Sequence, residues 1–220
     1  MLLMKPSIKC ETITENPITL IQDAGRTCYQ SETGNAKDFI KKIMDRGHLS
    51  VIEHASATYR VICDRGVTHE IVRHRLASYS QESTRYCKYG NGCKFIIPPW
   101  IDLDPGECYW EPDDGVLTYS DGISIDINTP NDVWLDALQM SQNSYSTLLA
   151  GGWSAQQARS VLPNSLKTEI VMTMNMREWL LFFTLRTDPK AHPQMREIAF
   201  LILKDIKKKV PVIFEGVSDE

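Results

Sequence analysis

Apolar residues recur every three to four positions in some stretches of the chain and alternate in others, which separates helices from strands. Pro17 to about Tyr29 carries Ile18, Leu20, Ile21 and Ala24 and predicts a first helix. Asn35 is placed to cap a second, in which Phe39, Ile40, Ile43 and Met44 make one stripe and which Gly47 stops. Ser56–Cys63 alternates and predicts a strand, and Val67–Arg75 continues as a helix that frays near its arginines. Phe95-Ile96-Ile97 is a short strand ended by Pro98-Pro99. Val116–Tyr119 and Ile123–Ile127 flank Ser120-Asp121-Gly122, a tight-turn signal that predicts a hairpin. Asn131 caps a long helix with Val133, Trp134, Ala137, Leu138, Tyr145, Leu148 and Leu149 apolar, ending at Gly151-Gly152. Ser154 and Gln157 have capping-box spacing for a short helix that ends before Pro163. Thr168–Met174 alternates as a strand, and Arg177–Leu185 is apolar enough to be a buried helix. Pro193 suits the first turn of a last helix, with Ile198, Leu201, Ile202 and Ile206 inward and Lys207-Lys208-Lys209 at its C-terminal end. Helices dominate over at least four strands without strict βαβ alternation, so the fold class is α+β.

The 220 residues suit a single domain, 1–220, and an apolar fraction of 42% with 24% charged residues is ordinary for a globular chain. No apolar run approaches the ~20 residues that span a bilayer, and the N-terminus lacks the pattern of a secretory signal. Six cysteines without CxxC spacing read as free thiols in a reducing cytosol. The expected location is therefore cytoplasmic, with no membrane partner.

Charge sharpens this picture. The formal net charge is −4, yet Phe95–Ala158 contains no Lys or Arg and ten acidic residues. The remainder of the chain carries +6, so the average conceals a cationic body with an acidic middle.

Candidate chemistry is narrow. His69-Glu70-Ile71-Val72-Arg73-His74 resembles a zinc HExxH, but its histidines are five apart. Five residues turn a helix by ~500°, leaving the rings ~140° off a common face, and two arginines beside His74 repel a dication. Metal catalysis is excluded. No GxGxxG, Walker A loop or GxSxG occurs, so bound anions must be held by side chains, and arginine is best suited to phosphate oxygens. The densest cluster is Arg73-His74-Arg75-Leu76-Ala77-Ser78-Tyr79-Ser80-Gln81-Glu82-Ser83-Thr84-Arg85-Tyr86. Arg73 and Arg75 flank one residue and call for a counter-ion. One reading of the cluster is a nucleic-acid-binding module with Tyr79 and Tyr86 as stacking platforms, although the acidic segment would repel a long polyanion.

Arg73-His74-Arg75, seven residues, then Ser83 is similar to the signature of flavin-dependent thymidylate synthases, and the resemblance extends across all 14 residues of the cluster. Ala24–Tyr29, Glu53-His54, Ala158–Pro163, Asn175-Met176-Arg177 and Leu185-Arg186 resemble further segments of that family in the same order. The similarity covers roughly Thr19–Ile206 apart from Pro98–Pro130, which reads as an acidic insertion decorating the domain.

The resemblance implies an α+β domain with a mostly antiparallel sheet packed with helices. It implies synthesis of dTMP from dUMP, with methylenetetrahydrofolate as carbon donor, FAD as hydride carrier and NADPH as reductant, in a homotetramer with shared sites. All four ligands are anionic, in keeping with the cationic body. By motif, Arg73, His74, Arg75, Gln81, Asn175, Arg177, His54 and Ser56 are expected at FAD. Glu70, Arg73, Gln81, Glu82, Ser83, Thr84, Arg85, Arg159 and Arg186 are expected at dUMP. Arg85 would pair with the phosphate, helped by Ser83 and loop N–H groups, including that of Glu82 with its carboxylate turned away. Ser83 has no dedicated His/Asp partner in the sequence and is read as a binding group. Arg186 is expected to stabilise the uracil anion formed at N3, raising electron density at C5. Asn175 also reads as a helix N-cap, with Glu178 completing a box-like pattern. His192 and Gln194 resemble a late His–Gln pair. Leu181 departs from the family, standing where a polar FAD contact is frequent, and Glu70 stands where an amide is frequent.

Overall fold

The structure, a computed structural model, describes residues 1–29, 34–127 and 130–218. In chain order the elements are β1 (Leu2–Met4), β2 (Ser7–Ile13), α1 (Pro17–Tyr29), α2 (Ala36–Asp45), a 3-10 turn (Leu49–His54), β3 (Ser56–Asp64), α3 (Arg65–Ile71) and β4 (Ala77–Gln81). They continue with β5 (Lys94–Ile96), β6 (Gly106–Glu111), β7 (Val116–Tyr119), β8 (Ser124–Asp126), α4 (Asn131–Ala150) and α5 (Ala155–Ala158). A second 3-10 turn (Arg159–Val161), β9 (Lys167–Asn175), α6 (Met176–Arg186), α7 (Pro193–Lys209) and α8 (Pro211–Phe214) complete the chain. The α+β class stands, with two sheets: β5-β1-β6-β7-β8 and β2-β3-β9-β4.

Capping explains most boundaries. Asn35 Oδ1 accepts from Lys37 N (2.8 Å) and starts α2, which ends where Gly47 takes φ +72°. The box at Ser154 and Gln157 forms as expected at α5. Asn131, in contrast, is the first residue of α4; Pro130 occupies the cap position, and the Asp132 carboxylate accepts from Val133 N (2.6 Å). The helix expected at Val67–Arg75 starts at Arg65, where Asp64 Oδ1 receives Val67 N (2.7 Å), and stops at Ile71. Arg73 and His74 thus sit in a turn rather than in a fraying helix.

Contacts between residues divide the chain into two units. The first comprises Met1–Pro6, Ile62–Thr68 and Gln81–Glu169; the second comprises Ser7–Val61, His69–Ser80 and Ile170–Glu220. In the first, β1 runs parallel to β5 and antiparallel to β6, and β6, β7 and β8 form an antiparallel meander with Cys108 opposite Tyr119 and Leu117 opposite Ile125. The predicted hairpin is therefore part of a larger sheet. Its inner face buries Trp110, Leu117 and Cys108 with Leu3, Phe95, Leu135, Leu138 and Tyr145. Trp110 Nε1–H donates to the Asp136 carboxylate.

The second unit holds α1, α2, α6, α7 and α8 around an aromatic core. Trp179 stacks on Phe183 and meets Tyr59 and Phe182 edge-on, with centroids 5.3–5.7 Å apart. Phe214 closes on Phe183 at 5.6 Å. Tyr59 Oη donates to Asp205 Oδ2 (2.7 Å) and Trp179 Nε1–H to Ala57 O (3.2 Å), which satisfies the two polar tips in this cluster. One side of α6 is buried through Trp179, Phe182 and Phe183, but Leu181 and Leu185 are about half exposed, so the helix is not wholly internal.

Candidate active site

The sequence-predicted residues fall into two clusters, one in each unit. In the second unit the turn after α3 is tied by Tyr79, whose Oη donates to Ile71 O (2.9 Å) and His74 O (2.8 Å). This fixes Arg73 and Arg75 outward, both exposed, with His74 between them only 4% exposed. The turn itself, closed by Arg73 N on Glu70 O and His74 N on Ile71 O, buries His74 and leaves its two neighbours outside.

His74 lies along α6. Its Nδ1 is 3.3 Å from Glu178 Oε1, its ring lies 5.0 Å from that of Phe182, and its Nε2 accepts from Arg186 Nε (3.0 Å). Burial and the Arg186 guanidinium push the His74 pKa down to about 4, so the ring is neutral at physiological pH despite the carboxylate beside it. Burial pushes Glu178 up. Arg186 is further held by Glu70: Nη1 donates to Oε2 (2.7 Å) and Nη2 to the backbone carbonyl (3.0 Å). Three of its five N–H groups are engaged, leaving one on each terminal nitrogen. Arg186 lines a cleft of about 670 Å³ together with Arg73, Glu70, His69, Lys190, His192 and neighbours.

Asn175 and Arg177 begin α6. Asn175 Oδ1 accepts from Glu178 N (2.8 Å), as an N-cap should. The reciprocal half of the expected box is missing, because the Glu178 carboxylate turns to His74. Arg177 pairs with Glu53 (2.6 Å) on the surface, next to exposed His54 at the end of the first 3-10 turn. Ser56 begins β3, its backbone bonded to Thr14. Gln194 lies in the first turn of α7 and does not line the cleft, whereas His192 does.

In the first unit, residues 81–86 form a loop closed by side chains. Gln81 Nε2 donates to Thr68 and Thr168 hydroxyls (3.0 and 3.3 Å). The Glu82 carboxylate is turned inward, accepting from Tyr89 Oη (2.7 Å) and Lys167 Nζ (2.6 Å). Its backbone N–H, offered to phosphate by the sequence reading, instead donates to Glu169 O (2.8 Å). Thr84 is buried and accepts from Arg159 Nη1 (3.2 Å); Arg85 Nε donates to Gln156 (2.8 Å) and its guanidinium lies over Tyr86. Two arginines distant in sequence are thus brought to one loop by α5 and the turn after it. Ser83 Oγ accepts from Arg85 N (3.3 Å) and, among the described residues, has no basic side chain hydrogen-bonded to it. A binding role suits it better than attack. Tyr79 is part-buried with its hydroxyl on the backbone, whereas Tyr86 is exposed, so the two tyrosines do not form a matched pair of open platforms.

Glu178, Gln156, Lys167 and Tyr89 were not singled out as site residues from the sequence. Glu178 alone left a signal: it lies four residues before Phe182 and eight before Arg186, one stripe of a helix.

The family model for thymidylate synthase complementing protein matches residues 11–212. The chain belongs to this family, that of the flavin-dependent thymidylate synthases. Family members from Mycobacterium sp. (strain KMS) and Geobacter sulfurreducens are each 34% identical, over 95% and 93% of this chain and 83% and 84% of theirs. Both carry the name flavin-dependent thymidylate synthase. The UMP/dUMP methylase PolB of Streptomyces cacaoi, solved with 5-Br dUMP, shares the fold, with a TM-score of 0.75 at 22% identity over 98% of this chain and 96% of that one.

Proposed function

We propose that this protein is a methyltransferase-type enzyme that makes dTMP from dUMP, with methylenetetrahydrofolate as carbon donor and NADPH as reductant. FAD is its cofactor and supplies the hydride that completes the methyl group. The observation that carries this reading is Arg186, a guanidinium held in place on three sides with two N–H groups left over, at a cleft that also presents Arg73. Such a group favours a uracil ring that has lost its N3 proton, because opposite charge stabilises the ionised form. The C5 carbon then becomes the nucleophile.

The residues present suit FAD. Arg73 and Arg75 are exposed cations that can hold a diphosphate, and neutral His74 between them offers no competing charge. His54, Ser56, Gln81, Asn175 and Arg177 complete the proposed flavin set. Leu181 is about half exposed on α6 and provides an apolar face where the family often has a polar contact. For dUMP, the phosphate-binding candidates are Arg85 and Arg159 with the loop of Gln81, Glu82, Ser83 and Thr84 in the first unit; the base-binding candidates are Glu70 and Arg186 in the second.

The reading includes a homotetramer with shared sites, supported by the apolar Leu181 and Leu185 on the open side of α6. It treats 1–220 as one catalytic domain with an acidic insertion at 98–130, and places the protein in the cytoplasm. The five cysteines whose side chains are described are free; the side chain of Cys28 lies outside the described residues. Among the described residues no helix is long and apolar enough to cross a membrane.

The test is direct. Purified protein given FAD is expected to show flavin absorbance, and with dUMP, methylenetetrahydrofolate and NADPH to form dTMP. Arg186→Ala is expected to bind FAD while losing at least a hundredfold in kcat, roughly the size of removing one preorganised charge-stabilising donor. A protein that takes up no flavin sinks the reading; normal turnover by the variant removes the role of Arg186.

A further inference from the structure

Glu178, Phe182 and Arg186 are spaced four residues apart on α6, and His74 touches all three. We propose that Glu178 is a positioning residue of the active site: its carboxylate keeps the His74 proton on Nδ1, so that Nε2 remains the acceptor that orients Arg186.

The hydrogen-bond inventory demands this arrangement. A guanidinium only donates, so the His74 nitrogen facing Arg186 Nε at 3.0 Å must offer a lone pair. The other ring nitrogen then carries the proton and needs an acceptor, and Glu178 Oε1 stands there at 3.3 Å. The alternative tautomer would place N–H against N–H at Arg186. An imidazolium would do the same, beside a permanent cation.

Burial makes the choice costly to change. The His74 and Glu178 side chains are 3% and 5% exposed, so neither can exchange its partner for bulk water. Glu178 is itself held by its backbone N–H on Asn175 Oδ1, which ties the chain of contacts to the start of the helix. Glu70 closes the far end on Arg186. The result is a linear series, Glu178–His74–Arg186–Glu70, in which the plane of the guanidinium is set from both sides. The same logic governs histidines oriented by a carboxylate elsewhere in enzymes, where the second partner decides the tautomer. What Glu178 adds to the proposed reaction rests on the assignment of Arg186 to uracil. The tautomer itself does not.

The experiment uses histidine-selective ¹⁵N labelling of the full-length protein without nucleotide, with the His74 signals assigned by their loss in His74→Gln. The wild type is expected to show a protonated Nδ1 and an unprotonated Nε2. Glu178→Gln keeps an acceptor oxygen and is expected to retain that pattern, whereas Glu178→Leu is expected to populate the Nε2–H form. In turnover, Glu178→Leu is expected to lose roughly tenfold or more in kcat, the scale of removing a group that orients a functional histidine. KM for dUMP should stay within about twofold, and Glu178→Gln should recover most of the rate. An Nε2–H tautomer in the wild type overturns the proposal. So does a Glu178→Leu protein that is less stable but has an unchanged tautomer and kcat. If Glu178→Leu does not fold, the wild-type and Glu178→Gln spectra decide. If the wild type makes no dTMP, the functional reading fails, while the tautomer measurement still judges the role of Glu178.

Discussion

A histidine between two arginines would be expected on the surface with them, yet His74 is buried while Arg73 and Arg75 remain outside. This has a measurable consequence. The His74 pKa is depressed to about 4 from an ordinary 6.5, so its contribution to stability is present in full above pH 6.5 and is lost as pH falls from 6.5 toward 4. A shift of this size corresponds to on the order of 3 kcal/mol. The raised Glu178 acts the other way, favouring the fold below its ordinary pKa and losing that contribution as pH rises through its raised value. Denaturant unfolding at a series of pH values is expected to give a steeper rise between pH 4 and 6.5 in the wild type than in His74→Gln. Parallel curves would show that His74 does not titrate in this way. That the ring is neutral could not be read from the sequence, because its partners on α6 are distant in the chain and only packing brings them near.

At the scale of elements, legibility followed periodicity. Helices α1, α2 and α7 carry apolar stripes, α6 is almost continuously apolar, and all four were placed within a few residues. The strands β1, β2, β4 and β6 were missed: β1 has three residues, β2 is mostly exposed and alternates only over Ile8–Glu11, β4 (Ala77–Gln81) is polar and half-buried at best, and β6 begins at a glycine among acidic residues. Since β4 lies inside the Arg73–Tyr86 motif, the motif reads as turn, strand and loop rather than as one basic loop. The caps at Asn35, Ser154 and Asn175 were legible because they depend on near neighbours only, whereas Asn131 falls one residue inside α4. Asn35→Ala is expected to cost about 1 kcal/mol through the lost bond to Lys37 N. That is a fall in Tm of roughly 2–4 °C for a chain of this size, read by thermal melting. A change within error would mean that α2 is held by packing alone.

At the scale of the whole molecule, the fold regroups what the sequence separates. The first unit combines the acidic stretch with the Arg85–Arg159 loop and contains seven Lys and Arg against thirteen Asp and Glu; the second contains seventeen against fifteen. The +6 counted outside Phe95–Ala158 is therefore divided between the two units, and attraction of anions rests on local clusters such as Arg73 with Arg75 and Arg85 with Arg159. The acidic stretch also lends apolar residues to a core. Trp110, fully buried with Leu117 and Leu3, makes Trp110→Ala an expected loss of about 3–5 kcal/mol by denaturant unfolding. A loss near zero would show that β6–β8 contribute nothing to stability. By itself, the sequence determined the helices, the caps, the family and the residue types that meet anions, because these are set by local spacing and by an uncommon run of residues. Only the tertiary structure decided which arginines share a loop, which carboxylate faces His74, and how Arg186 is held. Those are contacts between residues far apart in the chain, formed when burial removes water and each polar group must find a partner among whatever the packing brings within reach.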